Sequence, residues 1–338
     1  SETHDGMWIN AITSPLTMTK RDPWVNMLRT TAGPFAAATG GANQITTAPF
    51  DQAIGAPDEF SQRIASHTQV ILEEESNLSA VIDPAGGSWY IESLTTELAK
   101  NAWKEFQRLE AAGGITAVLE SGTLQNELEA QWATRRKAVE FRKEPITGVS
   151  EFPNLDEKPI GKETTESTPA PDTHAPLSED IFKAISEGAA NAVDLLANAW
   201  SNTASVATLE AGLTQSDQQV SVSPLPKHTL AEPFESLRNQ SDAALAKHGQ
   251  RPAVFLANLG TIPQHKARAT FAKNFFEAGG FQTHSNDGFD SLDALVDAFK
   301  ESAAPVVVLC STDAIYGEQA VDTAVALKAA GAKAIALA

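Results

Sequence analysis

From Arg251 to the last residue, short apolar runs alternate with longer amphipathic ones, and this rhythm limits the possible folds more than any other feature. Pro252-Ala-Val-Phe-Leu-Ala257, Phe281-Gln-Thr-His284, Pro305-Val-Val-Val-Leu-Cys310 and Ala334–Ala338 read as strands. Lys266–Ala278, Ser291–Ser302 and Gly317–Ala330 read as the helices between them. Strands apolar along their whole length need cover on both faces, and helical connections bring each next strand in parallel. The expected fold class is α/β, and residues 251–338 are expected to form a doubly wound parallel sheet of flavodoxin type. A complete domain of that type would usually need one more strand and helix. The sequence also begins at Ser1 without a methionine and ends straight after a strand-like segment, so a piece of a longer protein is expected.

Residues 1–150 have another rhythm. Asp22 is placed to cap a helix with Pro23 in its first turn, and Trp24, Leu28, Thr31 and Phe35 follow at helical spacing. Gly40-Gly41 ends it, and Asn43-Gln-Ile-Thr-Thr-Ala48 is strand-like. Pro57-Asp58-Glu59 opens a second helix through Phe60, Ile64, His67, Ile71 and Leu72. Ser79–Asp83 reads as a short strand, Pro84–Ser88 as a turn-rich loop, and Leu94–Leu109 as an amphipathic helix carrying Leu98, Trp103 and Phe106. Residues 115–142 read as helical again, with cations (Arg135, Arg136, Lys137, Arg142) towards the end. Strand, Gly-rich loop and helix in repetition is the pattern of a (β/α) barrel. Two or three units cannot close one, so the region reads as the C-terminal part of a TIM (β/α)8 barrel.

Residues 151–250 are expected to form a linker and a helical belt. Between 151 and 180 stand eight acidic residues, five prolines and six Ser or Thr, too little apolar surface to offset the entropy of ordering. Residues 177–200 read as one amphipathic helix, and 201–250 as extended chain with one further short helix.

Lys and Arg total 25 against 43 Asp and Glu, a formal net charge of −18. That balance repels phosphate backbones and anionic membrane surfaces, which argues against a nucleic-acid or membrane partner. No stretch approaches the length of a membrane span. The single cysteine, Cys310, ends an apolar run and reads as a buried small hydrophobe. The seven histidines have no Cys, Asp or Glu at metal-ligand spacing, so no metal site is expected. Gly86-Gly87-Ser88 lacks the lysine of a phosphate loop, and no serine has the setting of a hydrolase nucleophile.

In a doubly wound sheet, ligands sit at the carboxyl ends of the strands. The loop after the first strand reads Asn258-Leu-Gly-Thr-Ile-Pro-Gln-His-Lys-Ala-Arg268. Strand, glycine, short loop and helix here resemble the cobalamin-binding domain of the adenosylcobalamin mutases. That family's motif is Asp-x-His-x-x-Gly, whose histidine ligates cobalt, whose aspartate orients the histidine and whose glycine lets the corrin approach. Counted from Gly260, the three positions here are Ile262, Gln264 and Ala267. Isoleucine cannot orient an imidazole, a carboxamide is a poor cobalt ligand, and alanine adds a methyl group. His265 is one residue late, about 100° around the helix, and reads as a surface histidine.

The first region is similar to the last barrel units of the methylmalonyl-CoA mutase family. The similarity lies in Leu28-Arg-Thr-Thr31 before Gly40-Gly41, in Phe60-Ser-Gln-Arg-Ile-Ala-Ser-His-Thr-Gln-Val-Ile-Leu-Glu-Glu-Glu-Ser76 and in Asp83-Pro-Ala-Gly-Gly-Ser-Trp-Tyr90. Catalytic members carry Thr-Gln-Ser-Leu-His-Thr-Asn after the glycine pair, lining the face under the cofactor. This chain has Ala42-Asn-Gln-Ile-Thr-Thr-Ala48, so Asn43, Thr46 and Ala48 stand where the family has Gln, His and Asn. Glu75 keeps the acidic position that faces the adenosyl ribose in active members.

The resemblance implies a non-catalytic small (beta) subunit with no catalytic, cofactor-binding or metal residues of its own. Its partner would be a homologous catalytic large subunit, in a heterodimer, that holds adenosylcobalamin and handles the acyl-CoA. Together they would interconvert succinyl-CoA and (R)-methylmalonyl-CoA in cytoplasmic propionate metabolism. Two other readings remain. One is a catalytic mutase with an unusual lower ligand, His265 or none. The other is a module binding a different small molecule at the vacated loop.

Overall fold

A computed structural model describes residues 8–158, 160–161, 183–184, 187, 189–201 and 221–338. The chain divides into two compact units, residues 1–106, 126–163 and 226–338 in one and 107–125 with 164–225 in the other.

In the first unit, β1 (Asn10–Ile12) and β2 (Gln44–Thr46) pair in parallel around the crossover helix α1 (Asn26–Thr39). Asp22 does not cap this helix. It stands in the left-handed region at φ 45° before a 3-10 turn, Pro23–Val25, and α1 starts only at Asn26. Its backbone N–H donates instead to the Glu157 carboxylate at 2.6 Å. The buried side of α1 is Asn26, Thr30 and Pro34, whereas Trp24, Leu28 and Phe35 are exposed. A polar residue can take the inner face because Asn26 Nδ2 donates to the carbonyls of Thr19 and Phe50, each at 2.8 Å.

Helix α2 (Glu59–Val70) begins as expected, with Asp58 accepting from the Ser61 N–H at 2.8 Å in a reciprocal capping box. It buries Ser61, Ala65 and Thr68 rather than the larger Phe60 and Ile71. No strand forms at 79–83. Asn77 and Asp83 both take left-handed φ, and a 3-10 turn, Leu78–Ala80, lies between them. Helix α3 (Trp89–Ala111) buries none of its residues: Leu94, Leu98, Trp103 and Phe106 are all exposed. The 115–142 region is two helices, α4 (Gly114–Glu120) and α5 (Thr123–Glu140), parted at Gly122 with φ 72°.

In the second unit α4 buries Val118, and Gln125 Nε2 donates to the carbonyls of Leu119 and Ser223. Of the helix expected over 177–200, α6 (Ala192–Ser201) is present; most residues before it lie outside those described.

The remaining elements belong to the first unit. Helix α7 (Glu232–His248) is 17 residues long, not short, with Pro233 in its first turn and Gly249 closing it at φ 75°. Then come β3 (Ala253–Asn258), α8 (Ile262–Ala278), β4 (Gln282–His284), α9 (Leu292–Ser302), β5 (Val306–Cys310), α10 (Asp313–Ala329) and β6 (Ala334–Leu337). The four strands form one parallel sheet in the order β4-β3-β5-β6. Val254, Leu256, Val308 and Cys310 pack on α8 through Ala269 and Ala272. The alternate residues Phe255, Ala257, Val307 and Leu309 pack with Leu295, Phe299, Ala320 and Leu327 of α9 and α10. Strands covered on both faces account for their unbroken apolar runs.

An ion-pair cluster joins α7 to the chain on either side of it. Glu157 accepts from Arg21 at 3.3 Å and from Arg238 at 3.2 Å. Asp242 pairs with Arg21 and Arg251, both at 2.5 Å, and Glu235 accepts from the Lys20 N–H at 2.6 Å. The first residues of the segment read as a linker, 151–158, are therefore held by α7; most of its remainder lies outside the described residues.

Candidate functional site

The strand order reverses between β3 and β5, and the loop Leu259–Thr261 leaves β3 at that point. Crevices at such carboxyl edges are where parallel sheets place ligands. Asn258, 1% exposed, is tied there by its Nδ2, which donates to the Asn286 carbonyl at 2.6 Å. Asn286 returns the tie, donating from Nδ2 to the Leu256 carbonyl at 2.7 Å. On the neighbouring strand, Ser311 Oγ donates to the Leu259 carbonyl at 2.8 Å. The Tyr316 hydroxyl accepts from the Ser311 N–H at 2.8 Å and lies 2.9 Å from the Leu309 carbonyl. Arg268 stacks over the Tyr316 ring, 4.9 Å from its centre, and pairs with Asp313 at 2.5 Å. The loops at this edge of the sheet are thus fastened to one another by their own side chains.

Helix α8 starts four residues before the sequence pattern indicates, because Thr261 and Gln264 form its cap and Pro263 suits its first turn. Gln264 Oε1 accepts from the Thr261 N–H at 2.8 Å and from the Thr261 hydroxyl at 2.9 Å. The amide lies directly against Gly260, whose φ is +76°. A Cβ on Gly260 would come within 2.5 Å of Gln264 Oε1. Ile262 is 47% exposed at the head of the helix, and Ala267 follows in its second turn on the exposed side.

His265 is not on the surface. It is 3% exposed, and its Nε2 lies 3.2 Å from the Asp287 carbonyl, which requires the proton on Nε2. Its ring clips the 286–288 loop to α8, one residue's rotation inward from Gln264. Cys310 is buried as expected, and burial pushes its thiol up to about 12.

The other four positions lie elsewhere in the first unit. Asn43 Oδ1 accepts from the Ile9 N–H at 2.8 Å, tying β2 to β1. Thr46 is exposed at the end of β2, its carbonyl accepting from the Thr13 N–H at 3.0 Å. Ala48 is buried just beyond it and donates its N–H to Thr13 Oγ1. Glu75 is exposed on the last turn after α2. Asn43, Thr46 and Ala48 are therefore gathered along one strand, Ile262, Gln264 and Ala267 on one helix start, and among the described residues no hydrogen bond links the two sets. Among the same residues, no three His, Cys, Asp or Glu converge to hold a metal ion. The fastenings by Asn258, Asn286 and Ser311 were missed in the sequence; the only signal is a polar residue closing an apolar run.

Residues 2–220 match the family model described as Methylmalonyl-CoA mutase. The methylmalonyl-CoA mutase small subunit of Streptomyces virginiae is 44% identical over 329 residues, 97% of this chain and 45% of that protein. The small subunit of Propionibacterium freudenreichii subsp. shermanii is 38% identical over 329 residues, 97% of this chain and 43% of that protein. A methylmalonyl-CoA mutase of Cereibacter sphaeroides is 40% identical over 148 residues, 44% of this chain and 21% of that protein. The chain spans less than half the length of these relatives.

Proposed function

The chain belongs to the methylmalonyl-CoA mutase family, and from that premise we propose that it is part of a non-catalytic small subunit. Its partner is a homologous catalytic large subunit, and the heterodimer isomerises succinyl-CoA and (R)-methylmalonyl-CoA with adenosylcobalamin held by the partner. The names of the Streptomyces and Propionibacterium relatives support the subunit assignment. The parallel β1-α1-β2 unit supports a barrel segment, and the order β4-β3-β5-β6 supports a flavodoxin-type sheet. No described helix is long and apolar enough to cross a membrane, and a cytoplasmic location is part of the proposal.

The observation that carries the reading is the Gln264 amide turned back onto Thr261. A lower cobalt ligand has to stand out from the loop with a basic nitrogen, and a second group has to orient it. Here the side chain at that position is spent on capping α8 and fills the space beside Gly260, while Ile262 offers no hydrogen bond. These residues do not fit the cofactor. His265 is no substitute, since its ring is buried against the Asp287 carbonyl.

Incubation of the chain with cobalamin followed by desalting tests this. The protein is expected to emerge colourless and without cobalt, and to co-purify with a large-subunit homologue. Stoichiometric retention of cobalamin by the chain alone overturns the proposal.

A further inference from the structure

A cavity of about 660 Å³ lies against the side of α1 that carries Leu28, Arg29 and Ala32. Its volume is within the range of roughly 300–1,000 Å³ usual for small-molecule sites. Val25, Leu28, Ile146 and Leu230 give it an apolar wall, and Ser14, Thr17 and Thr147 add hydroxyls. Among the described residues, Arg29 is the only charged side chain that lines it. That side chain is half-buried and forms no ion pair with any described residue. It donates only to neutral acceptors: from Nη1 to Thr19 Oγ1 at 3.0 Å and Asn26 Oδ1 at 2.7 Å, and from Nη2 to the Thr147 carbonyl at 2.7 Å. The Thr147 bond is the exposed one, and one Nη2 proton and the Nε proton have no acceptor among the described residues. Burial holds the Arg29 pKa below the usual arginine value, and Asp22 and Glu235 oppose the shift without pairing with it. A half-buried cation with no anion against it is costly, and an anionic acceptor entering the cavity would relieve it.

We propose that this cavity binds a monocarboxylate with a medium-length apolar chain, its carboxylate paired with Arg29 and its chain on the wall of Val25, Leu28, Ile146 and Leu230. A carboxylate matches the planar fork of a guanidinium, which is why the pairing outdoes bonds to neutral acceptors. Two hydroxyls add donors. Ser14 Oγ accepts from the Leu16 N–H at 3.3 Å and keeps its own proton, and the Thr147 hydroxyl has no partner among the described residues. A phosphate monoester suits the site less well. One guanidinium offers a single positive charge, and a chain of net charge −18 repels a dianion. The cavity includes neither Ile262, Gln264 and Ala267 nor Asn43, Thr46 and Ala48, so the proposal stands apart from the reading of the cofactor positions.

The test is calorimetric titration of the chain with octanoate, repeated with 1-octanol, which has the apolar chain without the charge. Helix α3 exposes Leu94, Leu98 and Trp103 and takes up any apolar chain weakly, so the variants decide. The expected result is saturable 1:1 binding of octanoate, weakened about tenfold or more in Arg29→Gln and in Leu28→Glu and unchanged in Leu98→Glu. 1-Octanol should bind about tenfold more weakly than octanoate. Leu28 and Leu98 are each 68% exposed, so replacing them leaves the fold intact even if Arg29→Gln, which removes the bonds to Thr19, Asn26 and Thr147, does not. Non-saturating heats, equal losses in Leu28→Glu and Leu98→Glu, or equal affinity for octanoate and 1-octanol would each overturn the proposal.

Discussion

Gln264 and Thr261 hold each other at the head of α8: the glutamine Oε1 accepts from both the backbone N–H and the hydroxyl of the threonine, at 2.8 and 2.9 Å. An N-terminal helix turn has donors that no helical carbonyl can satisfy, and this side chain answers one of them. The residue that the proposed function sets at the cobalt-ligand position thus has a structural task that a ligand could not perform at the same time.

Replacing Gln264 by alanine should therefore cost stability and nothing else. The loss of the cap is expected to be about 1 kcal/mol, read as a lower urea midpoint with an unchanged slope. If the midpoint does not move, the amide is not capping the helix in solution.

The sheet was legible from sequence because its strands are buried on both faces and their apolar runs are unbroken from Val254 to Ala257 and from Val306 to Cys310. Helix starts were less so. Sequence periodicity begins α8 at Lys266, whereas the cap lies at Thr261, and only the pairing with Gln264 reveals it. In residues 1–150 the periodic apolar positions were found, but not which face is buried: α1 turns Asn26 and Thr30 inward and leaves Leu28 out. Period alone carries no information about what lies opposite a helix. At the candidate site, the identities of Ile262, Gln264 and Ala267 were enough to propose that the loop lacks a cobalt ligand, and their geometry was not needed for that. The burial of His265 could not be read in this way, since it depends on a loop 22 residues away, at Asp287, that packs against the ring.

Glu157 is the anion on which Arg238 depends. That guanidinium is 1% exposed, and burial holds its pKa below the usual arginine value, with Glu157 the main group opposing the shift. Glu157→Ala leaves a buried cation short of its partner and removes the acceptor for the Asp22 N–H, so a loss of roughly 3 kcal/mol is expected in chemical denaturation. A loss below about 1 kcal/mol, the level of a surface pair, would show that water replaces the carboxylate.

Asp242 gives the cluster a pH dependence. Burial by itself would raise its pKa, but hydrogen bonds from Arg21 and Arg251 outweigh that and hold the carboxyl below its ordinary 3.8. A depressed folded-state pKa contributes stability that is present above the unfolded value and lost as pH falls through the folded one. Stability should therefore decline from about pH 4 downwards. Asp242→Asn should be less stable at neutral pH and should show a shallower decline below pH 4. Parallel curves for the two proteins would show that the pairings are absent in solution.

Cys310 should be silent in the native protein. With its thiol pushed up to about 12 by burial, roughly one molecule in ten thousand carries the thiolate at pH 8. Ellman's reagent is expected to react at a rate set by unfolding, and at once in denaturant. Fast reaction of the native chain would place the sulfur at the surface and contradict its packing between β5 and α8.

Restoring the cofactor loop is the sharpest trial of the proposed function. Gln264→His alone supplies a nitrogen but removes the cap, leaves Ile262 unable to orient the ring and keeps the Ala267 methyl group. It is expected to retain no cobalamin. Ile262→Asp/Gln264→His/Ala267→Gly supplies ligand, orienting carboxylate and clearance together, and should retain cobalamin after desalting, with the visible absorption of a histidine-ligated corrin. Retention by the triple variant but not the single one would assign the loss of binding to these three positions acting jointly. Retention by the single variant would mean that the imidazole needs no partner. Retention by neither would mean that the packing of Ser311, Tyr316 and Arg268 at the carboxyl edge, not the loop sequence, is what keeps a corrin out.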